Sequence, residues 1–215
     1  MKVYIHVDSN STYVGNGGFV TLSNLALRLI DMGYEVYMFD QNNQLNYKMF
    51  DWLCLDRKIP ITKTWNITLD NDSRVITSWL RTLPDKFRNP SFLRFLESSE
   101  LIRNGHELER EFIIKNNVKV ANLHKNLNDL YCRLGIRNMV NLEVWIRDDV
   151  KFIGKEKIEN SVGIQLERKR IFKIFSVFDW SGYEKFKEWR IIICNGNYGQ
   201  VIDKMNMADF FYSQP

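Results

Sequence analysis

Residues 2–40 read KVYIHV (2–7), DSNSTYVGNGG (8–18), FVTLSNLALRLIDM (19–32) and GYEVYMFD (33–40), and this stretch decides the fold. Lys2 to Val7 is a short β-branched and aromatic run ending at Asp8, the pattern of a buried strand. The Gly-, Ser- and Asn-rich piece after it is a loop by composition. From Phe19 to Met32, Leu22, Leu25, Ala26, Leu29 and Ile30 recur at helical spacing, and Gly33 supplies a stop. Tyr34 to Phe39 is a second strand, closed by Asp40. Strand, glycine loop, helix and strand in this order predict a right-handed βαβ unit, and hence a parallel sheet.

Outward from this unit the rhythm continues. Gln41 to Tyr47 is an Asn/Gln-rich loop, and Met49 to Leu55 is an aromatic patch that suits helix or strand. Strands are expected at Arg74 to Trp79 (RVITSW, behind the polar turn LDNDS), Ser91 to Leu96, Val118 to Leu123 and Leu142 to Ile146. Helices are expected over His106 to Lys115 and over Lys125 to Leu134, the second stopped by Gly135. Lys151 to Asn160 is charged and weakly patterned, which marks a boundary. Beyond it come strand Ser161–Gln165, helix Arg168–Phe178, strand Arg190–Asn195, a short helix through Met207 and strand Asp209–Ser213. The expected class is α/β: a Rossmann-like parallel-sheet first lobe, residues 1–152, and a small, abbreviated second β-α-β lobe, residues 153–215.

Composition excludes several classes. With 45% hydrophobic and 26% charged residues the chain is not disordered as a whole. No window approaches the roughly 18 apolar residues of a spanning helix. The start, MKVYIHVDSN, turns polar after Val7, too early for a secretory signal core. Cys54, Cys132 and Cys194 lie far apart in no metal-like spacing, which argues for a reducing, cytoplasmic setting. A net charge of +4 suits phosphate-containing ligands or the anionic face of a membrane met peripherally; it does not diagnose nucleic acid as a partner.

Individual residues carry chemistry unevenly. Glycines in Gly15-Asn16-Gly17-Gly18 let backbone N–H groups approach a phosphate or sugar at the positive end of a helix. Any β1–α1 connection also needs such freedom, and the spacing is not G-x-G-x-x-G. Asp40 could contact a ribose, though a strand-end Asp more often makes a turn. His6 reads as a satisfied core residue and His106 as a surface or capping residue. His124 follows a strand end, where α/β sheets collect binding residues. Cys132 lies inside a helix with only Arg133 as a basic neighbour, and Asp148-Asp149 reads as a turn rather than a metal site. Trp79, at a strand end, could stack on a sugar or base.

The order KVYIHV, loop, GGFV, LALRL and GYEVYMF resembles the amino-terminal entry of family 4 glycosyltransferases, retaining enzymes with the two-lobed type B fold. The resemblance places Gly17 and Gly18 on the glycine pair that lies against acceptor and donor phosphates, and Gly33, Glu35 and Val36 on the second strand. Thr77-Ser78-Trp79 resembles the family's threonine–tryptophan strand. Phe95 to Glu100 (FLESSE) resembles its Gln-Asp-Tyr-Glu segment, with Glu100 on the glutamate and Glu97 where glutamine is usual. Val120 to Gly135 resembles the last strand and helix of the first lobe, and Leu142 to Phe152 the passage into the second.

In the second half, Val162-Gly163 followed by Glu167-Arg168-Lys169-Arg170 is similar to the strand and basic pair that hold a donor diphosphate. A guanidinium and an ammonium can neutralise such a leaving group without a metal, although the same residues suit a solvated helix face. Trp189 to Gly196 and Met205 to Pro215 are similar to the next segments. The connection between Gly199 and Met205 is shorter than the family's by a β-α pair. The E-x7-E motif that follows there in the family is not present in these residues.

The resemblance therefore implies transfer of a hexose, with retention, from a nucleotide-diphosphate sugar to a carbohydrate or glycoconjugate acceptor. It implies substrate contacts at Gly17, Gly18, Trp79, Glu100 and His124, and donor-phosphate contacts at Gly163, Arg168 and Lys169. It implies no metal and no further cofactor, and assigns no catalytic side chain. The alternative is a degenerate lobe that holds a nucleotide, a sugar or a partner without turnover. A weaker third reading, a nucleotide-sugar-modifying Rossmann enzyme, would use Tyr183 and Lys187.

Overall fold

The computed structural model describes residues 1–8, 17–53, 55, 57–97, 101–123, 125–142, 158–164, 190–193 and 198–212. The chain divides into two compact units, residues 1–51 with 55–146, and residues 52–54 with 147–215.

In the first unit the order is β1 (Lys2–Val7), α1 (Gly17–Asp31), β2 (Glu35–Asp40), β3 (Ser73–Thr77), β4 (Leu93–Glu97), α2 (Glu107–Lys115), β5 (Lys119–Asn122), α3 (Asn128–Arg133) and β6 (Met139–Asn141). All six strands run parallel in one sheet, ordered β2-β1-β3-β4-β5-β6. A single parallel rung extends it: Met38 donates its N–H to the Pro60 carbonyl at 2.8 Å, and Thr62 donates to the Met38 carbonyl at 2.9 Å, setting Ile61 beside β2. The chain thus steps outward from β1 to β2 to Ile61, then returns to the other side of β1 as β3. Strand order reverses between β1 and β3, a Rossmann-like, doubly wound arrangement.

Helix ends explain much of this regularity. Gly33 (φ +84°), Asn117 (φ 48°) and Gly135 (φ +90°) each follow a helix in the left-handed region. The residue after each donates to the carbonyl five back: Tyr34 to Leu29, Val118 to Ile113, Ile136 to Tyr131, all at 3.0 Å. One C-terminal motif therefore closes α1, α2 and α3. Asparagine tolerates that conformation better than most residues and serves in place of glycine after α2.

Packing follows the two periodicities. On α1, Phe19, Leu22, Ser23, Ala26 and Leu27 are buried while Arg28 and Asp31 face solvent. Along the strands, side chains alternate between faces. Tyr4, Phe39, Val75, Leu93, Phe95 and Val120 form one apolar cluster with Ile113 of α2 and Tyr131 of α3. Val3, Ile5, Val36 and Met38 point the other way and are also buried. Because α1 runs along β1 and β2 and gives no residue to the first cluster, it covers this second face.

The aromatic patch at 49–55, expected as helix or strand, is helical through Leu53: Tyr47–Leu53 is a 3-10 helix whose Phe50 meets Phe19 at 5.2 Å. A strand that the spacing did not announce, β6 at Met139–Asn141, registers on Val120 to Asn122, just before the one expected at Leu142–Ile146. As an edge strand it leaves Val140 exposed, so its hydrophobic alternation is weak. Of the expected span, 143–146 lie outside the described residues, as does the helix expected at 168–178.

The second unit contains β7 (Ile158–Ile164), β8 (Arg190–Ile193), α4 (Tyr198–Met207) and β9 (Ala208–Tyr212). Its strands are parallel in the order β8-β7-β9, with a register irregularity between Ile158 and Val162.

Candidate functional site

Ligands of doubly wound sheets bind in the crevice outside the carboxyl ends of the strands, where the order reverses. Five buried polar residues of the first unit stand at that edge. β1 has His6 next to its last residue, and β2, β3, β4 and β5 end on Asp40, Thr77, Glu97 and Asn122. All five are exposed by 1% or less. A buried polar group is costly unless hydrogen-bonded, so each partner has a purpose.

Four of the five tie down the loop that leaves their strand. Asp40 accepts backbone N–H groups from Asn42 (3.3 Å), Gln44 (3.0 Å) and Leu45 (2.9 Å). Its carboxylate is engaged by its own turn, which corrects the ribose contact considered for it. The Thr77 hydroxyl accepts the Trp79 N–H at 3.0 Å. Glu97 accepts the Leu101 N–H at 3.4 and 3.3 Å and the Tyr131 hydroxyl at 3.2 Å. Asn122 donates to Asn128 Oδ1 at 2.6 Å, at the start of α3.

His6 joins neighbouring strands instead. Gln41 donates its amide N–H to Asp8 Oδ1 at 2.9 Å, which turns its oxygen toward His6 Nε2 at 3.3 Å. His6 must then donate from Nε2 and keep a lone pair on Nδ1, which assigns the tautomer. At Nδ1 the ring meets Thr77 Oγ1 at 2.9 Å, so the threonine donates. Burial holds the imidazole pKa down at about 4, against opposing effects of the Gln41 bond and of Asp8 and Asp40. His6 is a neutral, satisfied core residue at ordinary pH, as its place in a buried strand suggests.

The glycine pair and Trp79 reach the same edge. α1 ends beside the start of β2, where Glu35 donates to the Met1 carbonyl at 3.3 Å. A 15-residue helix is about 22 Å long, comparable to a six-residue strand, so its first residues, Gly17 and Gly18, stand at the carboxyl edge. Trp79, half-buried, lies two residues beyond the end of β3. Beside it, a surface groove runs between Leu80, Arg81 and Arg88 and the α2 residues Leu108, Glu109 and Phe112. Arg81 forms an ion pair with the largely buried Glu109, which holds the groove's two sides together.

Gly17, Gly18 and Trp79 are thus brought to one edge of one sheet. Gly163 belongs to the second unit, next to the end of its central strand β7. Glu100, His124, Arg168 and Lys169 lie outside the described residues, as do Tyr183 and Lys187. Sequence reasoning passed over Asn122 and gave no role to the Thr77 hydroxyl or the Glu97 carboxylate. The available signal was an apolar strand ending on a polar residue, repeated strand after strand.

Among the described residues, no group of three or more His, Cys, Asp or Glu side chains is placed to hold a metal ion, and no helix is long and apolar enough to cross a membrane. No family model, no curated protein and no solved structure matches the chain. What stands on structure alone is the class: an α/β protein with a Rossmann-like parallel sheet and a carboxyl edge of braced loops.

Proposed function

We propose that this protein is a glycosyltransferase of the two-lobed type B kind, transferring a hexose with retention from a nucleotide-diphosphate sugar to a carbohydrate or glycoconjugate acceptor. One observation carries the reading: the strand order reverses between β1 and β3, and Gly17, Gly18 and Trp79 stand at that carboxyl edge. Glycines opening a helix let backbone N–H groups approach phosphate oxygens, and an indole offers a face to a sugar or base. Retention in type B enzymes needs charge stabilisation at the departing diphosphate more than a side-chain nucleophile, and that role falls to Arg168 and Lys169.

Calorimetric titration with UDP-, GDP- and TDP-sugars tests it. Binding of one donor is expected, and no heat with any of them sinks the proposal. With a binding donor, the Arg168→Ala/Lys169→Ala chain should lose affinity by about 2–3 kcal/mol, as loss of charge-assisted phosphate contacts would. Donor hydrolysis or transfer to an acceptor then separates an enzyme from a lobe that binds without turnover.

A further inference from the structure

Resting on that reading, we infer that His6 is a positioning residue of the crevice: through Thr77 on one side and Gln41 on the other, it sets the backbone of Trp79 and the carboxylate of Asp8. Asp8 and Trp79 follow the ends of adjoining strands, β1 and β3, at the two sides of the place where strand order reverses. They are joined by four hydrogen bonds with one consistent polarity: Trp79 N–H to Thr77 Oγ1 (3.0 Å), Thr77 hydroxyl to His6 Nδ1 (2.9 Å), His6 Nε2–H to Gln41 Oε1 (3.3 Å), and Gln41 Nε2–H to Asp8 Oδ1 (2.9 Å). Each polar group in the chain has one direction open to it, because Asp8 can only accept and the Trp79 backbone nitrogen can only donate.

An apolar residue would fill the same space and pack on Phe39, whose ring lies 5.3 Å from the imidazole. A buried imidazole is the costlier choice, and what it adds is direction: an acceptor at Nδ1 and a donor at Nε2. Thr77 receives the Trp79 N–H because its own proton is committed to His6. A site for a sugar or nucleotide gains from this, since a pre-set aromatic neighbour loses less freedom on binding.

The two arms separate by substitution. In His6→Asn the amide oxygen takes the place of Nδ1 and accepts from Thr77. In His6→Gln the amide nitrogen takes the place of Nε2 and donates toward Gln41. With 5-fluorotryptophan incorporated and the Trp79 fluorine resonance assigned through Trp79→Phe, His6→Gln and Thr77→Val should move that resonance while His6→Asn leaves it near its original position. Nitrogen-15 spectra of labelled histidine should show His6 protonated at Nε2 and bare at Nδ1. Equal movement by His6→Asn and His6→Gln, no movement by Thr77→Val, or an Nδ1-protonated ring overturns the inference. Should Thr77→Val fail to fold, the Asn–Gln contrast decides. With a donor found in the UDP-, GDP- and TDP-sugar panel, His6→Gln should bind it about three- to tenfold more weakly and His6→Asn within about twofold of the original. If no donor binds the unaltered protein, the transferase reading falls, and the fluorine and nitrogen spectra still judge the relay.

Discussion

The two edges of the first sheet are built on different terms. At the amino edge the contacts end on carboxylates open to solvent. The Met1 ammonium meets Asp72 at 3.0 Å, with the carboxylate 76% exposed, and the Ser73 hydroxyl donates to Asp70 three residues away. That hydroxyl is the chief reason the Asp70 carboxyl sits below the usual range. At the carboxyl edge the polar groups are buried, and beside their bonds to nearby loops some reach across the fold: His6 meets Thr77, 71 residues on, and Glu97 meets Tyr131, 34 residues on. Turns at the amino edge need only to reverse the chain. Loops at the carboxyl edge are held from beneath by polar groups withdrawn from water, which is how a surface that must present fixed groups to a ligand is built.

This contrast can be broken from the strong end first. Replacing Glu97 by Ala leaves the Tyr131 hydroxyl and the Leu101 N–H without their acceptor and opens a cavity, so urea unfolding should show a loss of about 4 kcal/mol. A loss under about 1 kcal/mol would mean the buried carboxylate braces nothing.

Acid attacks the same edge through His6. Its folded pKa of about 4 lies below the ordinary 6.5, so between those values the unfolded chain binds a proton that the folded chain refuses. Stability contributed by the neutral ring is complete above pH 6.5 and falls as pH drops toward 4. The accumulated loss is about 3 kcal/mol, absent from His6→Asn. Parallel stability–pH curves for the two chains would show that the imidazole is not buried as described.

Asp40→Ala strips an acceptor from three backbone N–H groups and should cost about 2 kcal/mol, close to the loss of a strong helix cap, with Asp40→Asn recovering part of it. At the opposite edge, Asp72→Ala should change stability by less than about 1 kcal/mol, because solvent screens so exposed a pair, and added salt should erase the difference. A large effect there would remove the contrast between the edges.

Legibility in the sequence tracked locality. KVYIHV is a strand over Lys2–Val7, as its composition predicts, and the helix that Phe19 to Met32 suggests runs from Gly17 to Asp31. Gly33 and Gly135 stop helices as expected, whereas Asn117 does the same work unannounced. β6 went unread because an edge strand with Val140 exposed carries little alternation. In the candidate site, Gly17, Gly18 and Trp79 stood out by residue type. The polar row beneath them did not, because nothing in the residue types near Glu97 or Asn122 says that either is fully buried.

By itself, then, the sequence determined the alternation of strands and helices and a parallel sheet, since each follows from apolar spacing within one or two turns of chain. Only the tertiary structure decided that Ile61 joins the outer side of β2 and that β3 returns beside β1. It alone made five strand-end polar residues the buried brace of one edge. The physical reason is range. Periodicity records which way each side chain faces, while strand order and pairings such as His6 with Thr77 or Glu97 with Tyr131 depend on residues tens of positions apart.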